Sequence, residues 1–306
     1  MENQDVIIIG AGPAGMTAAI YASRSGLSTL LLEESAPGGK LLKTSEISNW
    51  PGLIKEEGAD LAGNMRKHAT AFGAEYRYGK VVQIQDGYFK TVFLENGESL
   101  KSRAVIAASG TRERLLQIPG EKENIGRGVS YCAVCDGAFY RDAEVAVIGG
   151  GNSALEEAVY LTRFARKVTI LMRREGFRAQ QTIIDAAKRN PRIRILTKVI
   201  PTEILDNGEH VTGIRVKKSE TGQEFLLKVQ GIFPYIGSDP ATGFLKGLDV
   251  LDEKGYLITG ENMETKIKLL YGAGDVRKKL LRQVVTAVSD GAVAAQDAFH
   301  KIKGAY

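Results

Sequence analysis

Val6-Ile7-Ile8-Ile9-Gly10-Ala11-Gly12-Pro13-Ala14-Gly15 is the stretch that decides the fold class. Four β-branched residues in a row read as a buried strand, and a Gly-x-Gly-x-x-Gly turn follows at once. Residues Met16–Ser25 then read as a helix and Thr29–Leu32 as a second strand. The same order returns as strand Val145–Ile148, turn Gly149-Gly150-Gly151-Asn152-Ser153-Ala154, helix Leu155–Phe164 and strand Val168–Leu171. Ala154 replaces the third glycine, where only a small residue is needed for helix–strand packing. One such turn is weak evidence. Two, each between an apolar strand and a helix, are strong.

Strands of period two follow each copy. Lys90–Leu94 and Arg103–Ala108 flank the turn signal Asn96-Gly97, and His210–Val216 and Glu224–Val229 flank Thr221-Gly222. Each copy closes on an apolar strand that stops at glycine, Val105–Ala108 in the first and Gly231–Ile236 in the second. The expected class is α/β, with two Rossmann-like three-layer (ββα) nucleotide-binding domains. Residues from 243 onward belong to neither copy, and their Tyr271-Gly272-Ala273-Gly274-Asp275 needs a partner surface. The second domain is therefore expected as an insertion in the first. Residues 1–112 and 243–306 form one domain and 113–242 the other, with hinges near Thr111–Arg114 and Ser238–Gly243.

The chain has 306 residues, 43% hydrophobic and 25% charged, and a net charge of +5, which excludes a disordered chain or a coiled coil. No apolar run approaches the ~20 residues of a membrane span, and the N-terminus enters a strand without a leader-like segment, so a cytoplasmic protein is expected. The basic residues are scattered and only 7% of residues are aromatic, so neither nucleic acid nor membrane is expected as a partner.

A helix start with bare backbone amides binds a pyrophosphate, which accounts for both glycine turns. Glu33 and Glu34 end the second strand of the first copy, where a carboxylate accepts ribose hydroxyls and repels a 2′-phosphate. That site suits FAD or NAD(H). The second copy has no acid there and offers Arg173, Arg174 and Arg178, whose guanidiniums match a 2′-phosphate and favour NADP(H).

The only cysteines, Cys132 and Cys135, form a Cys-Ala-Val-Cys tract. His68, His210 and His300 are distant in sequence and read as surface residues, so no metal site is expected. A disulfide closing so short a loop constrains the unfolded chain little. Beside a nucleotide-binding pattern the tract reads as a redox dithiol.

Together these motifs resemble the low-molecular-weight, bacterial-type thioredoxin reductases over nearly the full chain. The resemblance rests on Gly10–Gly15, on Pro37-Gly38-Gly39 through Asn49-Trp50-Pro51-Gly52, and on Cys132-Ala133-Val134-Cys135-Asp136-Gly137. It continues through Gly149–Ala154, Arg173–Ala179, Gly272–Arg277 and Arg282–Ala287. The sequence departs from the pattern at Lys40 (usually Gln), Met172 (usually His) and Ser109 (usually Thr).

The resemblance implies a homodimeric enzyme passing electrons from NADPH through FAD and the Cys132–Cys135 disulfide to thioredoxin. Cys135 is then the flavin-side sulfur, Cys132 the exchanging thiol and Asp136 the proton donor and acceptor. FAD is expected on Gly10, Gly12, Pro13, Ala14, Gly15, Glu33, Glu34, Gly38, Gly39, Lys40, Thr44, Asn49, Gly110, Gly274, Asp275, Arg282, Gln283 and Val284. NADPH is expected on Gly149, Gly151, Asn152, Ser153, Ala154, Arg173, Arg174 and Arg178. Nicotinamide and dithiol share one domain yet must reach the same flavin, so a rotation between domains is expected. Two alternatives stand beside this reading: a ferredoxin-dependent flavin thioredoxin reductase, and a flavin-binding redox sensor without protein-disulfide turnover.

Overall fold

The computed structural model describes residues 3–43, 47, 49–131 and 133–304; Thr44 and Cys132 lie outside the described residues. The chain begins β1 (Gln4–Ile9), α1 (Pro13–Arg24), β2 (Thr29–Glu33), α2 (Gly58–Ala71), β3 (Glu75–Tyr78), β4 (Val81–Gln85), β5 (Lys90–Leu94), β6 (Ser99–Ala107) and β7 (Thr111–Glu113). It continues with α3 (Ala133–Asp136), β8 (Glu144–Ile148), α4 (Asn152–Leu161), β9 (Lys167–Leu171), α5 (Gln181–Arg189) and β10 (Ile193–Leu196). After β11 (Val199–Asp206), β12 (Val211–Lys218), β13 (Glu224–Leu227), β14 (Gly231–Pro234) and β15 (Ser238–Pro240), it closes with β16 (Leu270–Gly272) and α6 (Val284–Lys303). Two compact units result: Met1–Arg112 with Asp239–Tyr306, and Glu113–Ser238.

In the first unit, parallel strands run in the order β3-β2-β1-β6, with β16 beside the C-terminal half of β6. The N-terminal half of β6 instead pairs antiparallel with β5, Phe93 opposite Ser99, so this strand starts earlier than the hydrophobic run at Arg103–Ala108 implies. Strand alternation sorts the core into two faces. Val6, Ile8, Leu31 and Ile106 pack with α1, α2 and α6, whereas Ile7, Ile9, Leu30 and Val105 face Phe244, Leu245 and Leu257.

The second unit repeats the scheme with parallel order β10-β9-β8-β14 and a separate antiparallel sheet β11-β12-β13. Val145, Val147, Val168 and Ile170 pack under α4, while Ala146, Ile148 and Ile232 meet Ile204, Ile214 and Val216 of the antiparallel sheet. Helix, parallel sheet and antiparallel sheet are the three layers expected of a ββα domain. Both turn-following helices begin earlier than the sequence predicts, α1 at Pro13 rather than Met16 and α4 at Asn152 rather than Leu155. The turn residues themselves form the first helical turn, and Pro13 is preset for it.

One half-buried acid sits awkwardly in the second unit. Glu157 on α4 keeps its Oε2 buried without a hydrogen-bond partner. Burial first, and the charge of Glu156 second, push its carboxyl up from 4.5 to about 7. Below the unfolded value both states hold the proton and no penalty arises. Between 4.5 and about 7 the unfolded chain ionises first, so stability falls as pH rises and then levels off. The loss reaches at most about 3 kcal/mol. Glu157→Gln is therefore expected to change the urea-unfolding midpoint little at pH 5 and to raise it at pH 8. An equal shift at both values would contradict this account.

Candidate functional site

Three glycines around the first turn do three different jobs. Gly10 has φ +103°, and a Cβ there would lie 2.6 Å from the Ala108 oxygen. A Cβ on Gly15 would lie 1.8 Å from the Gly10 oxygen, so the helix start is pressed onto the strand end. Gly12 has nothing within 4 Å of such an atom, which leaves its side of the turn open. No side chain caps α1, so the amides of its first turn remain available to an anion. The Gly38 N–H donates to the Ala11 oxygen at 2.8 Å, laying the Pro37-Gly38-Gly39 loop against the turn.

The C-terminal segment supplies the rest of this site. The α6 start is capped by Gln283 and Thr286 in a reciprocal box, and Gln283 Oε1 accepts from Asn49 Nδ2 at 3.0 Å. Lys40 Nζ lies 3.5 Å from Asp275 Oδ2, which places this departure from the family pattern beside the carboxylate of the Gly274-Asp275-Val276 turn. The Arg282 guanidinium sits 4.4 Å over the Tyr256 ring and reaches the Asp275 oxygen at 3.4 Å. Asp290 anchors the same turn from within α6. It accepts from the Gly274 N–H at 3.0 Å, from Arg277 at 2.9 Å and from Lys279 at 2.6 Å.

Glu33 is buried at the end of β2. Its Oε2 accepts the Ala11 N–H at 2.7 Å, and its Oε1 accepts the N–H of Ser35 at 2.9 Å and the hydroxyl at 3.0 Å. Three of about four acceptor positions are thus filled, leaving room for one more donor. A cavity of about 360 Å³ opens here, lined by Gly10, Glu33, Glu34, Lys80, Ser109 and Arg112 among others. Arg112 pairs with Glu34, and Lys80 with Glu95 at 2.6 Å. Gly110, one residue from Ser109, accepts from the Ala241 N–H at 3.0 Å.

The second turn repeats the pattern. Gly149 has φ +144° and no room for a Cβ, which would meet the Tyr235 oxygen at 2.3 Å; Gly151 has open space; α4 has no side-chain cap. Asn152 Oδ1 accepts the Gln180 N–H at 2.8 Å, and the Arg178 N–H donates to the Gly150 oxygen at 2.8 Å. These bonds fold the arginine-bearing loop back over the turn, with Arg173, Arg174 and Arg178 exposed. Met172 is buried, and a Cβ on Gly150 would meet its methyl at 2.8 Å. It packs beneath the turn, in the core.

Cys135 and Asp136 belong to the one-turn helix α3, with Asp136 half-buried at its end. Of the histidines, His68 and His210 are exposed, whereas His300 is half-buried on α6 beside Gln296, contrary to the surface reading. Among the described residues, no cluster of His, Cys, Asp or Glu is arranged to hold a metal ion, and no helix is long and apolar enough to cross a membrane. Lys80, Arg112 and Asp290 were not singled out from the sequence. Only Asp290 left a signal there, an acid on the otherwise small and apolar stripe Ala287, Gly291, Ala294, Ala295, Ala298 of α6.

Comparison with known proteins bears on the whole chain. Residues 4–291 match the family model of pyridine nucleotide-disulphide oxidoreductases. The thioredoxin reductase of Listeria innocua is 47% identical over 295 residues, covering 96% of this chain and 92% of that one. That of Bacillus subtilis is 46% identical over 299 residues, covering 98% and 95%. The solved thioredoxin reductase of Lactococcus lactis, in its FR conformation, superposes with a TM-score of 0.93 at 44% identity, covering 99% of this chain and 100% of that one. The chain belongs to the pyridine nucleotide-disulphide oxidoreductase family, in its thioredoxin reductase branch.

Proposed function

We propose that this protein is an FAD-containing thioredoxin reductase that takes electrons from NADPH and delivers them to thioredoxin through Cys132 and Cys135. The observation that carries the reading is one chain with two open, uncapped glycine turns of opposite charge preference. A buried carboxylate stands at the end of β2 and arginines follow β9. A ribose hydroxyl suits the first and a 2′-phosphate the second. The relatives' names as thioredoxin reductases support the protein substrate.

The residues present fit FAD on the first unit. The amides of the α1 start would hold the pyrophosphate and Glu33 the adenosine ribose, and Asp275, Lys40, Asn49 and Gln283 would hold the remainder of the cofactor. When bound, the flavin supplies a two-electron relay between nicotinamide and disulfide. Arg173, Arg174 and Arg178 hold the NADPH 2′-phosphate. The Cys132 thiolate attacks one sulfur of the thioredoxin disulfide and forms a mixed disulfide. The Cys135 thiolate then attacks the Cys132 sulfur, closing Cys132–Cys135 and releasing the thioredoxin dithiol. Asp136 returns the proton to the leaving thiolate. Serving nicotinamide and disulfide in turn calls for rotation about the connections at Thr111–Arg114 and Ser238–Gly243. The same reading assigns a cytoplasmic homodimer.

Cys132→Ser is expected to bind FAD and to be bleached anaerobically by NADPH, yet to lose thioredoxin turnover by roughly 10³-fold or more. Substantial retained turnover would remove Cys132 from its assigned role. Arg173→Ala combined with Arg174→Ala is expected to weaken NADPH binding by roughly 100-fold, about 3 kcal/mol, with NADH affected little. Equal losses for both nucleotides would contradict a 2′-phosphate site.

A further inference from the structure

Two phenolic hydroxyls grip the chain on either side of Cys132. Immediately before it, Tyr131 Oη donates to Glu121 Oε1 at 2.7 Å. Glu121 is only 1% exposed and is itself held by the N–H groups of Leu116 at 2.8 Å and Gln117 at 2.7 Å. Immediately after Cys132, the Ala133 N–H donates to Tyr235 Oη at 2.9 Å. Burial, together with the Glu121 bond, pushes the Tyr131 phenol up; burial, with the Glu157 charge second, does the same to Tyr235. Both phenols therefore stay neutral at working pH, one as a donor and the other as an acceptor.

Backbone contacts extend the grip to strand β14. The Ser130 N–H donates to the Ile232 oxygen at 3.0 Å, and Val129 bridges to Ile232. Tyr235 follows the same strand, with its own N–H donating to the Ile148 oxygen at 2.7 Å. The end of the central sheet thus holds the entry to the cysteine tract by its edge and the exit by a side chain. Phenylalanine at 131 or 235 would preserve the ring and its packing, so the hydroxyls do something that core formation alone does not ask of them.

We propose that Tyr131 and Tyr235 are positioning residues for the redox tract, two hydroxyl clamps that fix the backbone flanking Cys132 in the geometry that lets Cys132 and Cys135 close. The proposal rests on the redox reading above. A disulfide tolerates only a narrow range of Cα separations and dihedral angles, whereas a dithiol tolerates many. On this proposal the clamps hold the flanking backbone within that range, so less conformational freedom is lost when the bond forms. The clamps therefore favour the disulfide over the dithiol, and losing either hydroxyl shifts the balance toward the dithiol.

The test uses full-length, FAD-loaded protein equilibrated anaerobically in glutathione buffers. One Cys132–Cys135 disulfide and two glutathione thiols give the dithiol and one glutathione disulfide, and alkylation with mass detection counts the free thiols. Tyr131→Phe and Tyr235→Phe are each expected to move the equilibrium constant toward the dithiol by roughly two- to tenfold, the worth of one hydrogen bond. The kcat for thioredoxin should fall while the KM for NADPH is unchanged. Should one of them fail to fold, the other is read alone, since each removes one clamp. Equilibrium constants indistinguishable from wild type would overturn the clamp. A wild-type protein that forms no reversible Cys132–Cys135 disulfide would overturn the redox reading itself, a result visible before any variant is made.

Discussion

Backbone pressed on backbone, where a helix starts at the end of a strand, is the constraint on which the first unit depends. The missing Cβ of Gly15 would stand 1.8 Å from the Gly10 oxygen, and that of Gly291 would stand 2.1 Å from the Ala14 oxygen. The first contact seats α1 on the sheet, and the second seats α6 on α1. A side chain at Gly15 pushes the α1 start away from the strand end, and one at Gly291 pushes α6 away from α1. The second unit follows the same rule at Gly149, while Ala154 shows that the third position needs small size rather than left-handed backbone.

From that shared geometry the two units diverge in charge. At the end of β2, Glu33 is built into the turn by Ala11 and Ser35, so its carboxylate is part of the scaffold. At the end of β9 the chain offers exposed arginines on a loop tied to the turn by main-chain and Asn152 bonds. The arginines face solvent from that loop, whereas the Glu33 carboxylate is already bonded into its turn. Asp290 extends the first site in the opposite direction. It pairs with both Arg277 and Lys279 while holding the Gly274 N–H, so the turn bearing Asp275 is fastened to α6 by charge-assisted bonds.

The architecture was legible because it rests on local patterns. Apolar strand, glycine turn and helix recur as a unit, and the period-two strands after each copy were read close to their observed positions. Helix starts were placed too late, since the turn residues Pro13 and Asn152 are themselves helical. That Glu33 ends β2 and that Arg173 and Arg174 follow β9 was legible, because each falls at a fixed place relative to the second strand of its copy. Lys80, Arg112 and Tyr235 were not. Each depends on which strand ends meet in space, and nothing local marks a tyrosine hydroxyl that will accept the N–H of a residue a hundred positions away. Met172, a departure from the family pattern, fills the core under Gly150.

The central claim is that two redox centres, flavin and dithiol, work in series within one chain. Anaerobic reductive titration tests it most directly, counting reducing equivalents per bound flavin in the wild type and in the Cys132→Ser, Cys135→Ser double variant. The account predicts that the wild type takes up twice the equivalents that the double variant does, because the disulfide accepts as many electrons as the flavin. Equal uptake by both proteins would mean that the cysteines are not in electronic contact with the flavin, and would contradict the account.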